Sequence, residues 1–562
     1  MSLLDWIVLG VTLTFIVGYG IYRSRQQQNL ETYLTGGHTL TWWHVCLSVM
    51  ATQASAVTFL SGPGQAYTDG MRFVQFYFGL PLAMVVISIT FIPIFHRLNV
   101  YTAYEFLETR FDLKTRTLTA LLFLLPRWLS TGISIYAPSI ILSTIFGWDI
   151  VWTNLAMGGI LLIYTVLGGS RAVSYTHVQQ MFIVLGGMFL AGYLVVRLLP
   201  ENMGLVDTLE VAGKMGKLQT INWQFDWNDR YNIWSGLIGG FFLQLSYFGT
   251  DQSQVGRYLG GETIGQSRLG LLMNGIVKIP MQFLILLVGA LVFVFYQFHQ
   301  PPLLFNETAL KKVEHTAQYQ TLQREHTQRF EEKKQVVTQL QSALERGDEG
   351  GIASLQQRVQ TLDHQTTELR NQTKKLVQAE GGDANDTNYV FLSFVVKYLP
   401  PGVVGLLIAI IFIASMGSIA SAISSLTSSF VVDIYRRMWV KNGTEAHYIR
   451  VSKISTAVWG MLSIAVAMYA SRVGSLIEAV NILGSLFYGT VLGVFVVAFY
   501  FKSIGAQATF WAAVGAEILV VVCWVLNLTA FLWLNVIGCV AVVGLGLVLK
   551  GLDRTTNSPT QD

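Results

Sequence analysis

The chain has 562 residues, 52% hydrophobic and only 12% charged, a composition that argues against an ordinary water-soluble domain and for a polytopic membrane protein. A formal net charge of +4, with no basic run able to track a phosphate backbone, argues against nucleic acid as a partner. The three cysteines, Cys46, Cys523 and Cys539, all lie in apolar segments, so neither a disulfide framework nor a zinc site is expected.

Apolar runs of about 20 residues, the length that crosses about 30 Å of hydrocarbon, begin at Leu4 and recur almost to the C-terminus. Roughly thirteen spans are expected, all α-helical. The first, within residues 1–24, lacks a basic n-region and a small-residue cleavage site, so it reads as a retained peripheral helix. With the N-terminus outside, Lys and Arg collect in the turns at 22–28, 108–116, 168–173, 435–453 and 550–554. That bias places these turns and the tail 552–562 in the cytoplasm; Arg72, at an external turn, is the exception. Asp433, in "DIYRR" near a cytoplasmic helix end, reads as bridging Arg436 or Arg437.

The stretch "ATQASAVTFLSGPG", residues 51–64, is a weak helix inside a spanning segment. Backbone at membrane depth must keep its hydrogen bonds, so such a run is tolerated only against protein or a water-filled cavity. There, unwound carbonyls can ligate a small cation, as in the discontinuous helices of secondary transporters. For an isolated run, tight packing of small residues is explanation enough, but a second run exists. Residues 409–435 carry Ser415, Ser418, Ser421, Ser424, Ser425, Thr427, Ser428 and Ser429, more hydroxyls than packing requires. Neutral oxygens suit a monovalent cation released in every cycle, and a mobile sodium site is the economical reading.

From Gln300 to about Thr387 the chain turns polar. Ile352, Leu355, Val359, Leu362, Thr366, Leu369, Thr373 and Leu376 keep the three-four spacing of a heptad seam. Leu310, Val313, Ala317, Phe330, Val337, Leu340 and Leu344 form a looser stripe, with "RGDEGG" (346–351) between the two. The expected product is an external antiparallel coiled-coil hairpin within 301–390, which either docks a protein partner or is an insertion that transport does not need.

Five blocks carry a resemblance: "ATQASAVTFLSGPGQAY" (51–67), "GGSRAVSYTHVQQ" (168–180), "GTDQSQVGRYL" (249–259), "ASMGSIASAISSLTSSFVVDIYRR" (414–437) and "GSLFYGTVLGVF" (484–495). In this order they resemble the sodium:solute symporters, closest in pattern to the iodide, monocarboxylate and multivitamin branch. The resemblance implies a bacterial inner-membrane symporter of the leucine-transporter type, with two inverted five-helix repeats. These would span about 40–200 and 230–500, the second interrupted by 301–390, with two peripheral helices at 505–551. It implies sodium as coupling ion, no organic cofactor, and uptake of a small solute by alternating access rather than enzymatic chemistry.

Carried over residue by residue, the carbonyls of Ala51, Ala54 and Ala414 and the hydroxyl of Ser418 occupy the sodium positions. Two departures stand out. Gly417 replaces one of two adjacent hydroxyl residues, and Ser421 is the candidate to supply the lost oxygen. His177 stands where the family commonly has an aspartate, leaving three readings: loss of a further sodium, a proton-linked step since imidazole titrates near neutrality, or a hydrogen-bonded core histidine. A proton-coupled carrier and a transporter-derived sensor acting through the hairpin remain the alternative functions.

For the solute, Thr58, Gln244 and Phe248 replace the residues of the galactose carriers, so a sugar is not favoured. Arg127, buried in the third core helix where an unpaired guanidinium costs about 2.5 to 3.5 kcal/mol, leans the reading toward a carboxylate, unless it snorkels or pairs internally. Gln53, Thr58, Tyr77, Arg127, Gln244, Tyr247 and Phe248 are the candidate solute contacts, with Tyr488 a further cavity or gate candidate. Asp251 and Arg257 read as the cytoplasmic end of the sixth core helix, outside the transport site.

Overall fold

The computed structural model describes residues 1–24, 40–98, 102–201 and 203–550, with the side chains of 17, 20–24 and 167–176 outside the description. The basic turn at 22–28 therefore lies largely outside the described residues, as do nearly all of 550–554 and the tail 552–562. The described residues are helical, with no strand and one isolated bridge between Leu40 and Gly261.

Among them, nine helices are long and apolar enough to cross a membrane, and Leu3–Ile16 and Ile150–Val166 are shorter apolar helices. Both shorter stretches stop where the side-chain description stops, inside longer helices, and one half of an interrupted helix is too short to qualify. Trp42–Gln53 (α2, after α1 at Leu3–Ser24) is separated from Ala56–Asp69 (α3) by two non-helical residues. Further along, Leu113–Phe146 forms α4 and Ile150–Arg197 forms α5. Where a turn is expected at 168–173, the backbone of α5 stays helical, since no proline interrupts it. Its halves nonetheless pack on different neighbours: Gly158 lies against Ile464, and Gly187 against Ile410.

A second interruption separates Gly240–Thr250 (α6) from Gln252–Tyr258 (α7), with Asp251 extended between them. Ile264–Phe298 (α8) then runs alongside both α2 and α3. The α2–α3 break is thereby supported on one side by α8 and on another by Val403–Ser429 (α11), the hydroxyl-rich helix. Glu445–Ala467 (α12), Leu476–Tyr500 (α13), Ala506–Val525 (α14) and Phe531–Leu549 (α15) complete the bundle. The continuation of α11, Phe430–Trp439, is π-helical. In it Asp433 pairs with Arg116 at 2.6 Å, while Arg437 pairs with Glu108. The expected short-range bridge from Asp433 is thus replaced by a link to α4, because the widened turn aims its buried carboxylate inward.

Between α8 and α11 stand Ala317–Arg346 (α9) and Glu349–Ala379 (α10), packed against each other. The reversal works because Gly347 takes the left-handed conformation (φ 68°) that closes α9, and Asp348 caps α10 by accepting from Gly351 N. Ile352, Val359, Leu362, Leu369 and Thr373 are buried along α10, with Val377 rather than Leu376 at the last position. At the base, Arg370 pairs with Asp386 and lies over the Phe305 ring at 4.9 Å. Phe305 in turn meets Tyr67 of α3 edge-on at 5.6 Å.

His326 of α9 is fully buried, and its Nδ1 faces the Gln300 amide at 3.5 Å. Burial, reinforced by Arg370 and Lys333, pushes the imidazole down to about 4. The unfolded chain takes up its proton near pH 6.5, so stability falls as pH drops from there toward 4. Hydrogen exchange over 317–379 is expected to report a loss of about 2 kcal/mol at pH 5 relative to pH 7.5, and His326→Phe to abolish the difference.

Candidate ion and solute site

At the α2–α3 interruption, Ala54 (φ −77°, ψ 70°) and Ser55 (φ −85°, ψ 171°) leave the helical region. The Ser55 N–H donates to Gln53 O at 2.9 Å instead of to Ala51 O. Thr58 Oγ1 also donates to Gln53 O, at 3.1 Å. The carbonyls of Ala51 and Ala54 are left without a hydrogen-bond donor among the described residues. Helix α11, which packs against both α2 and α3, buries Ala414 and Ser418, and Ser418 Oγ donates to Ala414 O at 2.8 Å. Its proton used internally, the Ser418 oxygen keeps lone pairs for a cation.

Ser421 is in a different position. Its Oγ donates to Gly417 O and accepts from Arg257 Nη2, each at 2.8 Å. A guanidinium already occupies one of the two lone pairs of this oxygen. His177 is fully buried, with Nδ1 3.1 Å from Ser48 Oγ of α2. A Cβ at Gly417 would come within 2.6 Å of Gln180 Oε1 and 2.9 Å of His177 Nε2. The two departures from the family pattern therefore face each other: the imidazole stands where a side chain at 417 would be.

Beside the break lies a cavity of about 110 Å³ lined by Gln53, Thr58, Tyr77, Arg127, Gln244 and Tyr247, among others. Six of the seven candidate solute contacts thus meet. Phe248, fully buried behind Tyr247 at a ring distance of 5.1 Å, does not line the cavity, because α6 turns it toward the packed interior. Asn481 and Tyr488 of α13 also line it.

Arg127 does pair internally: its Nη2 donates to Asp251 and, at 3.1 Å, to Tyr488 Oη, while Tyr488 Oη donates to Asp251 at 2.9 Å. Asp251, expected away from the site, sits at the α6–α7 interruption and caps α7 by accepting from Ser253 N at 2.9 Å.

Sequence reasoning misses Lys278. Its side chain, 1% exposed, enters the cavity from α8, with Nζ 5.7 Å from the centre of the Tyr77 ring, and forms no ion pair among the described residues. The cavity wall therefore carries Arg127, which is paired with Asp251 behind it, and the Lys278 side chain without an ion-pair partner among the described residues. A signal was present: a lone lysine in "NGIVKIPMQFLILL" (274–287) is an ionisable residue at membrane depth, rarely retained without function.

A family model described as the Sodium:solute symporter family matches residues 33–320 and 369–515, leaving the distal part of the α9–α10 pair unmatched. The human sodium/iodide cotransporter is 33% identical over 307 residues, 53% of this chain and 47% of its own length. Sodium-coupled monocarboxylate transporter 1 of Xenopus laevis is 32% identical over 277 residues, 48% of this chain and 43% of its own. The chain thus spans under half the length of these two relatives. The sodium/sialic acid symporter SiaT of Proteus mirabilis (strain HI4320) is 25% identical over 555 residues, 98% of this chain and 95% of its own. A solved substrate-bound outward-open state of a Na+-coupled sialic acid symporter superposes with a TM-score of 0.75 at 22% identity, covering 98% of each chain, so the fold is shared. With this family match over most of its length, the chain belongs to the sodium:solute symporter family, whose members are transporters and not enzymes.

Proposed function

We propose that this protein couples inward sodium movement to uptake of a small organic anion by alternating access, as a multi-pass protein of a bacterial inner membrane with the N-terminus outside and the C-terminus inside. The observation that carries the sodium reading is the pair of released carbonyls at Ala51 and Ala54, at a break packed against the helix that carries Ala414 and Ser418. Sodium there joins the broken helix to α11 and favours the outward-open form only as far as it binds that form better. The membrane potential adds about 2.3 kcal/mol per charge per 100 mV. Residues 40–200 and 230–500 form the inverted repeats, and the α9–α10 hairpin projects outside.

The anionic reading rests on Lys278, whose amine lines the cavity with no ion-pair partner among the described residues and gains one when an anion enters, and on relatives named for iodide, monocarboxylates and sialic acid. His177, wedged between Ser48 and Gly417, is read as a packed core residue, with one sodium per cycle.

The test is Ser418→Ala in proteoliposomes. Losing one neutral ligand, about 1 to 1.5 kcal/mol, is expected to raise the sodium concentration for half-maximal uptake about tenfold. Unchanged sodium dependence would overturn the assignment. Thermal-shift measurement with carboxylates, sugars and amino acids, each with and without sodium, identifies the solute as the ligand that stabilises only when sodium is present.

A further inference from the structure

The Arg127–Asp251 pair joins two things that a coupled transporter must connect: the solute cavity and an interrupted helix. Arg127 reaches the cavity, its side chain retaining 11% exposure, whereas that of Asp251 retains none. The two oxygens of Asp251 do separate jobs. Oδ1 accepts from Ser253 N at 2.9 Å and Ser253 Oγ at 2.6 Å, which caps α7. Oδ2 takes Arg127 Nη2 and the Tyr488 hydroxyl. Arg127 Nε is buried and has no hydrogen-bond partner among the described residues. The side-on edge of a guanidinium, Nε together with Nη2, is the fork that fits a carboxylate. Here that edge is half filled, with Nη2 held by Asp251 and Nε empty.

We infer that Asp251 is a built-in stand-in for the solute's carboxylate. This rests on the anionic-solute reading above. A carboxylate entering the cavity takes the vacant Nε–H and competes with Asp251 for Nη2. Once displaced, Asp251 loses the ion pair that ties α7 to α4, and Tyr488 loses its shared acceptor. The half-helix beginning at Gln252 then keeps its cap, its packing and the hydrogen bonds of Gln252, Gln254 and Arg257, but has lost its ionic tie to α4. Solute binding and release of α7 become one event, and a neutral solute of the same shape cannot trigger it, because it offers nothing to exchange for Asp251.

The test uses the purified full-length protein in detergent with sodium. Asp251→Asn keeps a capping oxygen for α7 but cannot balance Arg127. Among N-acetylneuraminate, nicotinate and lactate, any probe that stabilises the parent protein is expected to bind Asp251→Asn about tenfold more tightly, since its internal competitor is gone.

A second readout needs no solute. Gly256→Cys is introduced where a Cβ meets only Gln252 Nε2, at 3.7 Å, in a background with the three buried cysteines replaced by alanine. Labelling by a water-soluble maleimide is expected to speed up at least fivefold when Asp251→Asn or Arg127→Met is added. The double variant Arg127→Met with Asp251→Asn removes both members of the pair, so neither is left without its partner, and its sodium-dependent melting confirms that the fold survives. It is expected to bind none of the carboxylates. Carboxylate binding that is unchanged or weaker in Asp251→Asn, or labelling at the parent rate in both single variants, overturns the inference alone. If no carboxylate binds the parent or any variant, the anionic-solute reading itself falls, and the stand-in role with it.

Discussion

Replacing Lys278 by methionine is expected to raise the solute concentration for half-maximal uptake about a hundredfold while raising the melting temperature of the protein. The two effects share one cause. Lys278 is 1% exposed, its Nζ lies 5.7 Å from the centre of the Tyr77 ring, and no carboxylate pairs with it among the described residues. Keeping such a charge at membrane depth costs about 2.5 to 3.5 kcal/mol. Methionine fills a similar length, keeps a favourable sulfur contact with the tyrosine ring, and removes that cost. The same charge, once a solute anion arrives, forms a desolvated pair whose loss is worth about 2 to 5 kcal/mol, or about two decades in affinity. A purely structural lysine would behave oppositely, with stability falling on substitution and uptake affinity holding. Calorimetry and uptake assays on one preparation separate the cases, and a lowered melting temperature with unchanged uptake would remove Lys278 from the solute site.

How far the site is legible in the sequence depends on whether a residue's role is set locally. The interruption at Ala54 and Ser55 is legible because small and hydroxyl residues weaken a helix wherever they fall, and the membrane then demands a reason for them. The reversal between α9 and α10 is legible for the same cause, since "RGDEGG" supplies both a left-handed glycine and a capping aspartate. Partners across the fold are not local. Arg127 and Asp251 are 124 residues apart, and nothing in either neighbourhood announces the other. Asp433 has two arginines nearby in sequence and pairs instead with Arg116, 317 residues away. Ser421 has the right chemistry and spacing for a cation ligand, yet Arg257 reaches it from a different helix. Gly417 and His177 read as two separate departures until packing shows that each leaves room for the other.

Gly64→Ala is expected to separate sodium binding from folding by moving the second half of the broken helix as a rigid piece. A Cβ at Gly64 would lie 1.9 Å from the backbone oxygen of Thr387, and a Cβ at Gly289 of α8 would lie 2.1 Å from Pro63 O. Helix α3 is thus gripped between two backbones, and neither can yield as a flexible side chain would. One methyl on either side forces α3 sideways, at an overpacking cost of about 1 to 3 kcal/mol. Because the interruption at Ala54 and Ser55 is its only covalent link to α2, the displacement is taken up there, and the carbonyls of Ala51 and Ala54 lose their alignment with Ser418. The stabilisation of the melting temperature by sodium is therefore expected to shrink by more than half in both Gly64→Ala and Gly289→Ala. Gly159→Ala and Gly186→Ala in α5, where a Cβ meets nothing within 4 Å, are expected to keep the full sodium response and to gain up to about 1 kcal/mol from helix propensity. A full sodium response in Gly64→Ala and Gly289→Ala would mean that the ion does not sit at the interruption, since no ligand set spanning Ala54 and Ser418 could survive α3 moving on either flank.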